Sequence, residues 1–145
     1  QRVYRELLLT RSSDPLPPFL PAPLVLDGET LLEGTPWRVR CRSLPCPDES
    51  ERLPGAVYLD RDKVDGVLLL RPRQTGDEIA LPRRGGTKTL KKLFIDEKVP
   101  RREREHIPVL ADRAGVAAVA GFGADQRRLA QTGGRAYELL FWKKE

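Results

Sequence analysis

The sequence predicts an α+β fold of short mixed or antiparallel strands with two short adjacent helices. Three observations carry this. Apolar residues alternate with polar ones in brief runs separated by proline and glycine turns. Only two helices are expected, in neighbouring segments late in the chain, one from an apolar stripe and one from bracketing prolines. Strands and helices do not alternate as βαβ units require. A length of 145 residues suits one domain. The expected division is a strand-rich lead-in over 1–66 and a second region over 67–145. Hydrophobic residues make up 39%, enough for a lean core, and Trp37 and Trp142 are the largest side chains.

Val3 to Thr10 reads as a first strand with apolar residues on both faces. Five prolines follow within Pro15 to Pro23 and favour extended backbone. Leu16, Phe19 and Leu20 lie among them. This suits a connector docked on its own domain, the commoner case, or a ligand for a proline-binding domain. Leu24 to Leu26 and Thr30 to Leu32, around Asp27-Gly28, read as a hairpin. In Trp37 to Arg42, Trp37, Val39 and Cys41 share one face and Arg38, Arg40 and Arg42 the other: a half-buried strand with a basic outer face. Leu44 to Gly55 is a polar loop. Val57 to Leu59 and Val67 to Leu70 are short strands.

Leu90, Leu93 and Phe94 form an apolar stripe, which predicts a helix over Thr87 to Lys98 with Thr87 as N-cap after Gly85-Gly86. Pro100 and Pro108 bracket a second helix over Arg101 to Ile107. Val109 to Ala111 and Val116 to Val119 form a hairpin, and Ala136 to Trp142 is the last strand.

The formal net charge is +5, from 26 Lys and Arg against 21 Asp and Glu. The excess is local: Arg71 to Arg104 carries 11 basic and 5 acidic residues. No apolar run approaches the ~20 residues that span a bilayer, and no secretory leader pattern is visible. No membrane partner and a cytoplasmic location are expected. Two cysteines make no disulfide scaffold. Cys41, Cys46 and the single His106 are too few for a structural zinc site. One buried and one surface thiol are expected, with His106 in a capping or surface role. Gly85-Gly86-Thr87-Lys88 lacks the glycine spacing of an ATP-binding phosphate loop. Arg83, Arg84, Lys88, Lys91 and Lys92 form a run without acids that suits either a solvated face or a nucleic-acid backbone.

Four ordered segments carry a resemblance: Leu70-Arg71-Pro72-Arg73-Gln74-Thr75-Gly76-Asp77, Thr89-Leu90-Lys91-Lys92-Leu93-Phe94-Ile95-Asp96, Lys98-Val99-Pro100-Arg101-Arg102-Glu103-Arg104 and Ile107-Pro108-Val109-Leu110-Ala111-Asp112. Together with Gly121 they resemble the C-terminal domain of bacterial tRNA(Ile)-lysidine synthase. The resemblance implies a fold like a domain of the phenylalanyl-tRNA synthetase β subunit. It implies an ATP-dependent ligase that adenylates the wobble cytidine of a minor isoleucine tRNA, which lysine then attacks. The family's Ser-Gly-Gly-x-Asp-Ser ATP loop lies in its N-terminal domain and is absent here. The chain has no Met and begins at Gln1, so a piece of a longer enzyme, without catalytic residues, is expected.

No cofactor is expected in this piece; ATP with Mg belongs to the parent's N-terminal domain. The implied partners are tRNA(Ile), on its acceptor-stem side, and the chain's own catalytic domain. An assembly module that orients that domain, or a homodimer, is the alternative. The motif cations Arg71, Arg73, Lys91, Lys92, Arg101 and Arg104, with Arg83, Arg84 and Lys88 of the basic run, are the candidate tRNA contacts. Some of them can instead pair with Asp77, Asp96 or Glu103.

Overall fold

A computed structural model describes residues 18–144. The expected first strand, Val3 to Thr10, lies outside them, as do the first of the clustered prolines. Eleven strands and two helices follow: β1 (Ala22–Pro23), β2 (Gly28–Leu31), β3 (Trp37–Pro45), β4 (Ala56–Asp60), β5 (Leu69–Arg71), β6 (Glu78–Ile79), β7 (Lys88–Thr89), α1 (Leu90–Asp96), α2 (Arg101–Arg104), β8 (Val109–Asp112), β9 (Gly115–Val119), β10 (Gly123–Ala124) and β11 (Arg135–Lys143). One sheet has the order β1-β5-β8-β9-β10, a second β2-β3-β11-β4, and β6-β7 form a small ribbon. The pairings within all three are antiparallel.

The layers follow from alternation. Val39, Cys41, Leu59 and Leu139 face inward from the second sheet and meet Leu70, Leu110 and Ala118 of the first in one apolar cluster. Val109, Val116 and Val119 take part in another cluster, with Leu90, Leu93 and Phe94 of α1. The middle sheet is therefore buried on both faces. That is why β8 and β9 read as nearly continuous apolar runs. A register shift between Leu110 and Ala111 lets Ala117 and Ala118 both reach the inner cluster.

Element ends shift, with α2 closing at Arg104 rather than Ile107 and β3 running on to Pro45, and three local expectations change in kind. Residues 24–32 are not a hairpin. Asp27 has the expected left-handed backbone (φ 56°), yet the flanking strands join different sheets. β1 pairs β5, and the Leu24 amide extends that ladder by donating to Leu68 O at 2.9 Å; β2 pairs β3. The turn is thus a crossing between layers. α1 starts at Leu90, not near Thr87: Lys88 and Thr89 pair with Ile79 and Glu78, and the Thr89 hydroxyl accepts from the Lys92 amide as the actual N-cap. Finally, both thiols are buried. Cys46 joins Tyr58, Ala130 and Ala136 in a small cluster of its own, separate from the inner cluster that holds Cys41.

Candidate nucleic-acid interface

β5 and its following turn place the first site residues. The Arg71 guanidinium donates to both oxygens of Asp77, at 2.8 and 3.0 Å. Asp77 also accepts from the Gln74 amide at 2.7 Å, while its own amide donates to Gln74 O at 3.0 Å. Gly76 supplies the positive φ (91°) that closes the turn. The Leu90 amide donates to Asp77 O at 2.9 Å, so the same residue holds the turn against the start of α1. Between them lies an open groove of about 430 Å³, lined by Arg73, Thr75, Gly76, Thr89, Lys91 and Glu105 among others.

The nine candidate cations divide by what they touch. Arg71 is committed to Asp77 and its side chain is only 12% exposed. Arg104 donates through Nε to Val99 O at 2.8 Å, closing the α1–α2 connection. Arg73 lies 5.9 Å from the Phe94 ring centroid and 3.8 Å from Glu105, at the groove wall. Arg84 pairs with Glu97 at 2.9 Å and Lys88 with Asp96 at 2.8 Å, both on the surface. The Lys88 ammonium holds the Asp96 carboxyl below its usual range. Arg83, Lys91, Lys92 and Arg101 are exposed, and none forms an ion pair among the described residues.

Arg83 has left-handed backbone (φ 65°), and Gly85 and Gly86 follow with φ 67° and 91°. The loop between the ribbon strands therefore carries Arg83 outward on a bend that few L-residues adopt. Folding brings Arg73 and Lys91 to one groove and ties Arg84 and Lys88 to the C-terminal end of α1. It turns Arg104 inward. Lys98 and Arg102 also stand exposed in the same stretch, and in the sequence only their place in the local charge excess marks them. His106 lies in the turn after α2, with Nδ1 3.2 Å from Arg102 O, a position that caps the turn.

The family described as TilS substrate C-terminal domain matches residues 68–141, which span the turn, both helices, the middle sheet from β5 onward and most of β11. The chain belongs to this family. Members with similar sequence are named tRNA(Ile)-lysidine synthase. That of Symbiobacterium thermophilum is 32% identical over 115 residues, 79% of this chain and 24% of the relative. That of Dehalococcoides mccartyi is 34% identical over 126 residues, 82% of this chain and 26% of the relative. That of Caldanaerobacter subterraneus subsp. tengcongensis is 30% identical over 105 residues, covering 72% and 22%. The TilS-type chain thus spans about a quarter of the length of these relatives. The crystal structure of a TilS C-terminal domain superposes with a TM-score of 0.73 at 23% identity, covering 87% of this chain and 98% of that one. This likeness bears out the α+β fold. No helix among the described residues is long and apolar enough to cross a membrane.

Proposed function

We propose that this chain is the tRNA-holding C-terminal domain of a tRNA(Ile)-lysidine synthase. The parent's N-terminal domain would use ATP with Mg to join lysine to the wobble cytidine of tRNA(Ile), while this domain grips the acceptor-stem side. The observation that carries the reading is the division of cations. Arg83, Lys91, Lys92 and Arg101 project from a family-matched surface without acid partners among the described residues. RNA helices are bound largely through backbone and shape, which requires cations on a rigid support. The Arg71–Asp77 fork and the Thr89 cap provide that support beneath Lys91 and Lys92.

Replacing Lys91 and Lys92 with Gln tests the reading. Titration of tRNA over a range of salt should show weaker binding and a log–log salt slope shallower by about 1.5, since each lost phosphate contact removes roughly 0.7–0.9. An unchanged slope would remove the two lysines from the interface. Sedimentation at several chain concentrations separates this role from that of a dimerising assembly module.

A further inference from the structure

The sheet β2-β3-β11-β4 has one face on the core and another that is only half covered. Register places Arg38 opposite Trp142, Arg40 opposite Leu140 and Arg42 opposite Glu138, all on the outer face. Directly opposed residues share a face. At one end the cluster of Cys46, Tyr58, Ala130 and Ala136 covers the sheet. At the other, among the described residues, nothing does. Leu31, the β2 partner of Arg38, is 58% exposed, and the side chains of Arg40 and Arg42 are 37% and 52% exposed. Arg38, Leu140 and Trp142 are partly exposed.

A buried acid organises this row. Glu138 is 3% exposed and accepts from Arg42 Nε at 2.9 Å and from the Tyr58 hydroxyl at 2.9 Å, with Arg40 at 3.9 Å. Burying a carboxylate is costly unless its partners are fixed. The arrangement holds the Arg42 guanidinium on a rigid sheet while half its surface faces solvent. Alternate strand residues stand about 6.8 Å apart, so the three arginines form an evenly spaced cationic row beside one indole. Planar guanidinium and indole groups beside a cationic track are what unpaired nucleotides need: phosphates follow the charges and bases stack on the planes.

We infer that this outer face is a second RNA-contacting surface, one that takes unpaired nucleotides, with Arg38, Arg40 and Arg42 on phosphates and Trp142 stacking a base. The inference rests on the tRNA-holding reading and adds a separate surface to it. Charge complementarity favours RNA over a protein: with Glu29 and the buried Glu138 set against the three arginines, the face stays net cationic.

The test titrates the chain with two probes, a short unpaired RNA oligomer and a blunt RNA duplex. Arg38→Glu combined with Arg40→Glu should weaken oligomer binding about tenfold or more and leave duplex binding unchanged. Trp142→Leu should weaken oligomer binding about tenfold, the scale of losing one stacked base, whereas Trp142→Phe should retain most of it. In a Trp37→Phe background the oligomer should quench the remaining indole emission. Thermal unfolding of each variant confirms that it folds. Oligomer affinity equal in all variants, or an unquenched indole, overturns the inference. Duplex binding that depends on Lys91 and Lys92, with no oligomer binding, defeats this inference alone; failure of both probes defeats the tRNA reading as well. If the arginine variant keeps oligomer binding but loses association with a separately supplied catalytic domain of a relative, the face is a protein contact and the inference is wrong.

Discussion

The Asp112 side chain is fully buried and accepts from both outer nitrogens of Arg128 at 2.7 Å, as well as from the amides of Asp65 and Ala114. Burial pushes its carboxyl up, but the Arg128 fork and the two amides outweigh that and hold it below the usual carboxylate range. Burial likewise works against the Arg127 side chain and the Arg127 and Ala80 amides at Asp125, which is also held low. With folded values below the unfolded value of about 3.9, the unfolded chain binds more protons in the interval between them. Their contribution is therefore complete above the unfolded value and lost as pH falls through the folded one. Thermal unfolding followed by circular dichroism should be nearly flat from neutral pH to about 5 and drop steeply below about 4. Asp112→Ala should cost about 3 kcal/mol at neutral pH, because it strands a guanidinium that is only 12% exposed; urea unfolding measures it. Cys41 behaves differently. Burial raises its thiol to about 11, so it stays protonated at neutral pH. Native chain should react with iodoacetamide far more slowly at Cys41 than denatured chain, as peptide mapping would show.

α1 has seven residues, too few to hold together alone, so its stability is tertiary. Leu90, Leu93 and Phe94 bury their side chains against Val109, Val116 and Val119, and Phe94 meets Phe122 with ring centroids 5.5 Å apart. Phe94→Ala should cost about 4 kcal/mol, and Thr89→Ala about 1 kcal/mol by removing the cap; denaturant midpoints of the two variants would rank them. Thr87→Ala, by contrast, should be nearly neutral. The helix stripe was legible in the spacing of its apolar residues. Its start was not, because Thr87 and Thr89 are chemically alike and each precedes lysine-rich sequence. Pairing of Lys88 with Ile79, nine residues away in the chain, decides between them. The Asp27 turn shows the same limit. Its geometry was legible, but not which sheet each flank would join.

Across the whole molecule, electrostatics separates cations that build the domain from cations that face outward. Arg71, Arg104 and Arg128 hold turns and connections, whereas Lys91, Lys92, Arg83 and Arg101 are exposed without internal acid partners among the described residues. Arg84 and Lys88 are intermediate, since Glu97 and Asp96 already offset their charge. Arg84→Gln with Lys88→Gln should therefore flatten the salt dependence of tRNA binding less than Lys91→Gln with Lys92→Gln does. Parallel titrations of the two double variants check the order. An equal or larger effect at Arg84 and Lys88 would show that these pairs open when RNA binds.

The α+β class, the apolar stripe of α1, the β8–β9 hairpin, the half-buried β3 and the family were all readable from the chain. These depend on local periodicity and on short ordered motifs, which the sequence carries directly. Tertiary structure decided the assignment of strands to sheets, the three-layer packing, the burial of Cys46 and the partner of each cation. The physical reason is range. A backbone ladder such as β3 with β11, or an ion pair such as Arg42 with Glu138, joins residues nearly a hundred positions apart. Nothing in the local spacing of arginines distinguishes Arg71, closed onto Asp77, from Lys91, open to solvent beside it. Only the fold brings the acids to some of them and leaves the others facing out.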